Sequence, residues 1–298
     1  MMKKAFLSGI AALAALQLAA EVGVPAENWQ VVKDAANPSV ADGVFTATSS
    51  GSDTILGIKN FAPFPAEGNN LLVFSMRLPK GKKTMFQMFW ANKEQPNYSE
   101  ANSFRVALAG TGELETYCVN LAAHKGWTGT INNLRIDPVV LPKESPEPFA
   151  IGGFRIIDAA AGMPLPARNW GGAANCKITG SGNDVLTGEF IGKGDPFFTG
   201  FLPNRIDASK LKTVEFELKV PEGCSPSGQL FWLAEGRKQF SEPCSVHYKV
   251  AADGDFHKIV IDLSKKAEWK DSVIAFRFDP VDRPAQSGEF QIRNFIVK

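Results

Sequence analysis

The chain is poor in the residues that usually announce chemistry. Its 298 residues include three histidines, three tyrosines and four cysteines. It has no Gly-x-Ser-x-Gly, no His-Glu-x-x-His and no close Cys/His grouping, so the sequence marks of serine and zinc hydrolases are missing. Cys118, Cys176, Cys224 and Cys244 show none of the paired close spacings of a zinc site. An excess of one charge is absent too: 32 basic residues face 31 acidic ones, a net of +1. Such a balance announces no polyelectrolyte partner, and neither nucleic acid nor an anionic membrane surface is expected as a partner. Beyond residue 20 no apolar run is long enough to span a bilayer, and no sustained helical stripe appears.

What is present begins with "MMKKAFLSGIAALAALQLAA": two lysines, a short apolar run and small residues before Glu21. These are the three parts of a secretory signal, with cleavage expected near Ala20 and a secreted, periplasmic or cell-surface destination. Leu18 stands where a small residue is usual, so the cut is expected within one or two residues of that point. In an exported chain Cys224 and Cys244, which flank one predicted strand and its loop, are the expected disulfide. Cys118 and Cys176 read equally well as isolated buried thiols.

The remainder repeats itself. Trp90 and Trp232 are 142 positions apart, as are Trp127 and Trp269, and Trp29 and Trp170 are 141 apart. The same shift lays Tyr98-Ser99-Glu100 on Phe240-Ser241-Glu242, "LRIDP" at 134–138 on "FRFDP" at 276–280, and "FAIGGF" on "FQIRNF". A register held over this length marks the duplication of a whole domain. The expected boundaries are 1–20 for the signal, 21–158 for copy one, 159–167 for a linker and 168–298 for copy two. Within each copy the period is two. Val214, Phe216, Leu218 and Val220 alternate with Glu215, Glu217 and Lys219, and Leu72, Phe74, Met76 and Leu78 repeat the pattern. Several such strands per copy predict an all-β fold of two tandem antiparallel β-sandwiches. "NPSVADG", "SGSD" and "GKGD" read as turns without a phosphate role, since none leads into a predicted helix.

The order Gln229-Leu230-Phe231-Trp232, then Phe240-Ser241-Glu242, Asp253-Gly254, His257, Trp269 and Arg277-x-Asp279-Pro280 resembles the galactose-binding-like jelly rolls. Those domains are similar to carbohydrate-binding modules and accompany secreted glycan-degrading enzymes. Copy one keeps Gln87, Phe89, Trp90, Ser99, Glu100, Trp127, Arg135, Asp137 and Pro138, but has Leu114-Glu115 where copy two has Phe256-His257. The resemblance implies a structural calcium held partly by an aspartate of the last strand. Here the matching positions are Gly152 and Arg293. Copy one therefore lacks that carboxylate and copy two opposes the ion with a guanidinium, so no cofactor is expected.

Sugar binding needs a flat apolar surface and convergent hydrogen-bonding groups. With Leu230 and Trp232 facing the core, alternation turns Gln229, Phe231, His247 and Arg277 outward in copy two, and Gln87, Phe89, Arg105 and Arg135 in copy one. These eight are the candidate ligand-binding residues, with copy two the better candidate. Against this stands a structural reading in which Arg135 pairs with Glu100, and Arg277 with Glu242, to pin a loop. Trp29, Trp127, Trp170 and Trp269 at strand entrances read as plugs of the sandwich ends before sugar platforms. The function expected is a non-catalytic glycan-binding protein; the alternative is a cell-surface scaffold that binds proteins and no sugar. A polysaccharide-active enzyme is the minority reading. Gln229, His247, Tyr248 and Arg277 are types a lyase uses, but Tyr248 lies on the opposite strand face from His247.

Overall fold

A computed structural model of the chain describes residues 21–140, 146–192, 194–284 and 287–298. The secretory signal expected over residues 1–20 lies outside the described residues. Copy one contributes β1 (Val22–Gly23), β2 (Trp29–Lys33), β3 (Ala35–Ala41), β4 (Val44–Ser49), β5 (Ile55–Ile58), β6 (Phe64–Pro65), β7 (Leu71–Arg77), β8 (Lys83–Asn92), β9 (Ser103–Ala109), β10 (Glu115–Asn120), β11 (Thr130–Asp137) and β12 (Pro148–Ile157). Copy two contributes β13 (Met163–Pro164), β14 (Trp170–Ala174), β15 (Cys176–Gly180), β16 (Val185–Phe190), β17 (Phe197–Asp207), β18 (Thr213–Lys219), β19 (Ser227–Ala234), β20 (Ser245–Lys249), β21 (His257–Asp262), β22 (Ser272–Asp279) and β23 (Glu289–Val297). The helical turns among the described residues are short 3-10 segments.

Each copy is two facing antiparallel sheets of matching order. In copy one, β10-β7-β12-β4-β3 faces β2-β5-β11-β8-β9; in copy two, β15-β16-β23-β18-β21 faces β14-β17-β22-β19-β20. The two-residue alternation supplies the cores. Val214, Phe216 and Leu218 of β18 are buried while Glu215, Glu217 and Lys219 lie on the wetter face. Phe74 stacks on Phe86 and Tyr117 inside copy one, and Phe198 stacks on Phe290 inside copy two. All six tryptophans are buried. Trp127 donates its indole N–H to the Asn69 carbonyl and Trp269 does the same to Leu211, so these rings close the sandwich ends.

Three expectations are corrected. The linker is shorter than 159–167, because Met163 and Pro164 pair with Val297 and Ile296 of β23, and Leu165 and Ala167 are buried in the copy-two core. Val22 and Gly23 do the same for β12 in copy one, so each domain opens with an extra short strand. The segment "NPSVADG" is mostly strand. Asn37 at φ 53° makes a bulge, and Pro38 is tolerated because β3 is a sheet edge. Finally, Cys244 carries a free, buried thiol, so the Cys224–Cys244 bridge is not formed.

The copies are packed against one another. Leu71 and Val73 of β7 are buried in the hydrophobic cluster of copy two. Around them, Asn120 donates to Asn204 at 3.0 Å, Asn183 donates to Glu113 at 3.2 Å, and the Arg168 guanidinium lies 3.8 Å from the Tyr117 ring centre. Glu115 is 3% exposed at this junction and accepts from the Thr111 hydroxyl at 3.0 Å and from the Ser181 hydroxyl at 3.1 Å. Burial raises its carboxyl above the usual range, against the pull of those hydroxyls and Arg168.

Candidate ligand-binding cleft

The outer face of the copy-one sheet β2-β5-β11-β8-β9 gathers Gln87, Phe89, Arg105 and Arg135. The strand register requires it: Gln87 sits opposite Arg105 on one side and Asp137 on the other, and Phe89 sits opposite Arg135. Arg135 grips Asp137 through Nε and Nη2 at 2.8 and 2.9 Å, and its guanidinium carbon lies 4.8 Å from the Phe89 ring centre. Asp53, from the "SGSD" turn, reaches Arg135 at 3.8 Å and Lys33 at 2.8 Å. Gln87 donates to Glu100 and to the Ser103 hydroxyl, both at 3.1 Å, and accepts from Arg105 Nε at 3.0 Å. Arg105 also reaches Glu100 at 3.2 Å. Burial pushes the Asp137 carboxyl above its usual range, opposed by Arg135.

Arg135 forms a common wall of two hollows. One, of about 330 Å³, is lined by Gln87, Phe89, Glu100, Arg105 and Asp137. The other, of about 300 Å³, is lined by Gln30, Val32, Gly57, Tyr98 and Asn133. Phe89 is only 7% exposed, whereas Tyr98 keeps 37% of its surface open and stands edge-on to Phe89 at 6.5 Å. Burial raises the Tyr98 phenol above its usual range, with Arg135 pulling the other way, so the hydroxyl stays a neutral donor and acceptor at physiological pH. Gly57 sits under this hollow; a Cβ there would come within 3.3 Å of the Val32 side chain.

Copy two brings the corresponding residues together differently. Gln229 donates to Glu242 at 2.9 Å and to the Ser245 hydroxyl at 2.8 Å. Arg277 reaches Asp279 through Nε at 2.8 Å and Nη2 at 2.7 Å, and Asp195 at 2.8 Å. Its guanidinium carbon lies 4.0 Å from the Phe197 ring and 4.7 Å from the Phe231 ring. Asp279 is pushed up to about 6 by burial, against the pull of Arg277. His247 stays out of this cluster and faces Asp282 at 3.9 Å.

Two site expectations change accordingly. The arginines do not pair with Glu100 and Glu242; their partners are Asp137 and Asp279, two residues along the same strand and therefore on the same face. Phe231 points outward but is 4% exposed under Arg277, so it is no open platform. Thr199 and Phe197 stand in copy two where copy one has Gly57 and Ile55, which fills space that copy one leaves open. Tyr98, Val32 and Gln30 were not among the ligand-binding residues expected from the sequence, where Tyr98 entered only as part of a repeated motif. The signal for them was a contrast between copies: Tyr98 falls on Phe240, and "QVVK" at 30–33 falls on "GGAA" at 171–174. At the position read as lacking calcium, Arg293 is bound to Glu217 at 2.7 Å and stacked 4.0 Å from the Phe256 ring.

No family model and no curated protein matches the chain by sequence. Among solved structures, it is similar to a low-affinity xylan-binding module of Roseburia intestinalis, at 15% identity and a TM-score of 0.35, over 48% of this chain and 98% of that one. It is similar to a family 11 carbohydrate-binding module of Clostridium thermocellum in complex with a mixed-linked tetrasaccharide, at 18% identity and a TM-score of 0.30, over 43% of this chain and 88% of that one. A tandem pair of family 22 modules from Paenibacillus barcinonensis Xyn10C matches at 11% identity and a TM-score of 0.28, covering 91% of this chain and 93% of that one.

Proposed function

We propose that the chain is an exported, non-catalytic glycan-binding protein whose ligand lies across the copy-one cleft. The observation that carries this reading is the partly open Tyr98 ring at the rim of a hollow whose polar groups are already held in place. An aromatic face offers C–H contact to a pyranose, while Arg105, Arg135 and Asn133 offer hydrogen-bonding groups, the two guanidiniums held by Gln87, Glu100 and Asp137, which lowers the ordering cost of binding. The carboxylates of this face, Asp53, Glu100 and Asp137, are each engaged by a cation, which favours recognition over acid–base work. In this reading the same face of copy two is filled by its own Arg277, Phe197 and Asp195 and contributes rigidity. A pull-down on insoluble polysaccharides together with a glycan array, using the full mature chain and Tyr98→Ala, tests the proposal. Binding by the wild type that is lost in Tyr98→Ala supports it. Absence of any glycan binding, with capture of a protein partner instead, moves the reading to a cell-surface scaffold.

A further inference from the structure

A separate hollow of about 350 Å³ lies on the opposite sheet of copy one, bordered by Asn37, Thr46, Thr48, Arg77, Pro79 and Pro148. Its floor includes Ala150, which points away from the core yet is 1% exposed. Register explains the shape: Thr46 and Arg77 flank Ala150 on the neighbouring strands β4 and β7. The electrostatics differ from those of the cleft. Arg77 is exposed, and no hydrogen bond or ion pair engages its guanidinium among the described residues. It opens the turn "RLPKGKK" at 77–83, which places Arg77, Lys80, Lys82 and Lys83 within seven residues. Of these, Lys82 pairs with Glu147, which precedes Pro148 at the border of the hollow.

The duplication supplies an internal control. At the matching positions copy two has Gln291 for Ala150, Glu189 for Thr48, Arg293 for Gly152 and Glu222 for Lys80. Two of these polar groups are engaged on that face: Gln291 donates to Glu289 and Arg293 to Glu217. The fold therefore forms with bulkier polar side chains on this face, and neither the open floor nor the basic turn of copy one is needed to build a sandwich.

We propose that this hollow is a second binding site, for an anionic sugar residue of an acidic polysaccharide. The Arg77 fork receives the carboxylate or sulfate group. Thr46, Thr48 and Asn37 meet ring hydroxyls, and Pro79 and Pro148 offer apolar edges to the sugar C–H groups. Lys80 and Lys83 add a field that brings the polymer in and weakens with salt. The site is distinct from the cleft and does not rest on the reading of it.

Affinity electrophoresis and titration calorimetry of the full mature chain test this, with three probes: a homopolymeric polyuronate, the same polymer methyl-esterified, and a sulfated dextran. The polyuronate or the sulfated dextran binds, and which of them does identifies the anionic group; the ester does not. Arg77→Gln lowers the affinity at least tenfold with the circular dichroism spectrum unchanged. Ala150→Gln, which installs the copy-two residue and fills the floor without altering charge, lowers it comparably, while Tyr98→Ala leaves it intact. The proposal is overturned if neither anionic polymer binds or if the esterified polymer binds equally. It is also overturned if Lys80→Gln with Lys83→Gln abolishes binding while Arg77→Gln and Ala150→Gln do not, since that pattern belongs to a diffuse basic patch.

Discussion

Replacing Arg135 by alanine is expected to destabilise copy one mainly through what it leaves behind. Asp137 is buried, with its side chain 7% exposed, and Arg135, itself 24% exposed, is its ion-pair partner at 2.8 Å. Removing one member of a buried pair costs about 3–5 kcal/mol when the other charge is stranded. Water reaches one side of Arg135, which lowers the expectation to about 2–3 kcal/mol. Uncovering Phe89 adds the loss of a cation–ring contact, about 0.5–1 kcal/mol with water reaching one side of the guanidinium. For a domain of this size each kcal/mol moves the melting temperature by roughly 3–6 °C, so calorimetry of the full chain reads a drop on the order of 10 °C. The pH dependence supplies the sign. Asp137 already has a folded-state pKa raised by burial, and losing Arg135 raises it further. A carboxyl raised in the folded state takes up a proton on folding, so stability falls as pH climbs from the ordinary carboxylate range through the folded pKa. The Arg135→Ala deficit is therefore largest at neutral pH and shrinks on acidification. The paired replacement Arg135→Met with Asp137→Leu, which strands no charge, recovers most of the loss. A deficit under 1 kcal/mol, or one that does not change with pH, refutes the reasoning.

Other expectations follow from the same geometry. Leu71→Ala, on copy one but packed into the copy-two cluster, costs about 2–5 kcal/mol in thermal unfolding and loosens the domain contact seen by small-angle scattering; a loss under 1 kcal/mol contradicts that packing. Glu115→Gln keeps acceptors for Ser181 and Thr111 without a buried charge. Because burial raises the Glu115 pKa, the wild-type junction weakens as pH rises from the ordinary carboxylate range through the folded pKa, and the variant loses that part of the pH dependence in melting curves recorded from acid to neutral. Gly57→Thr, the residue copy two carries there as Thr199, fills the Tyr98 hollow. Any glycan affinity should drop while the fold survives; unchanged affinity would place the ligand elsewhere.

The architecture was legible because duplication and alternation are written in the chain itself. A shift of 141 to 142 fixed which residues share a role, and period two fixed which side of each strand is wet. The short opening strands were missed although "EVGVPAENW" and "GMPLPARNW" carry the same register, since two paired residues leave no alternation to read. β3 was missed because Pro38 and small side chains imitate a turn, and an edge position alone makes them acceptable in a sheet. For the site, alternation correctly placed Phe89 and Phe231 on the outer faces but equated outward with exposed. Covering comes from residues distant in sequence or on neighbouring strands, such as Arg135 over Phe89 and Phe197 with Arg277 beside Phe231. Tyr98 lies in the loop after β8, where no periodicity applies, so its proximity to Phe89 and Arg135 emerged only from the folded chain.

Tyrosine scarcity makes the central claim directly measurable. The chain has Tyr98, Tyr117 and Tyr248; the last two are buried, Tyr117 beneath Arg168 and Tyr248 with its hydroxyl on the Asp279 carbonyl. With 13C-labelled tyrosine, titration of whichever neutral glycan the array identifies is expected to shift the ring resonances of Tyr98 in a saturable manner and to leave Tyr117 and Tyr248 in place. A glycan that binds the protein at the same affinity without moving the Tyr98 signals contradicts the assignment of the binding face to copy one.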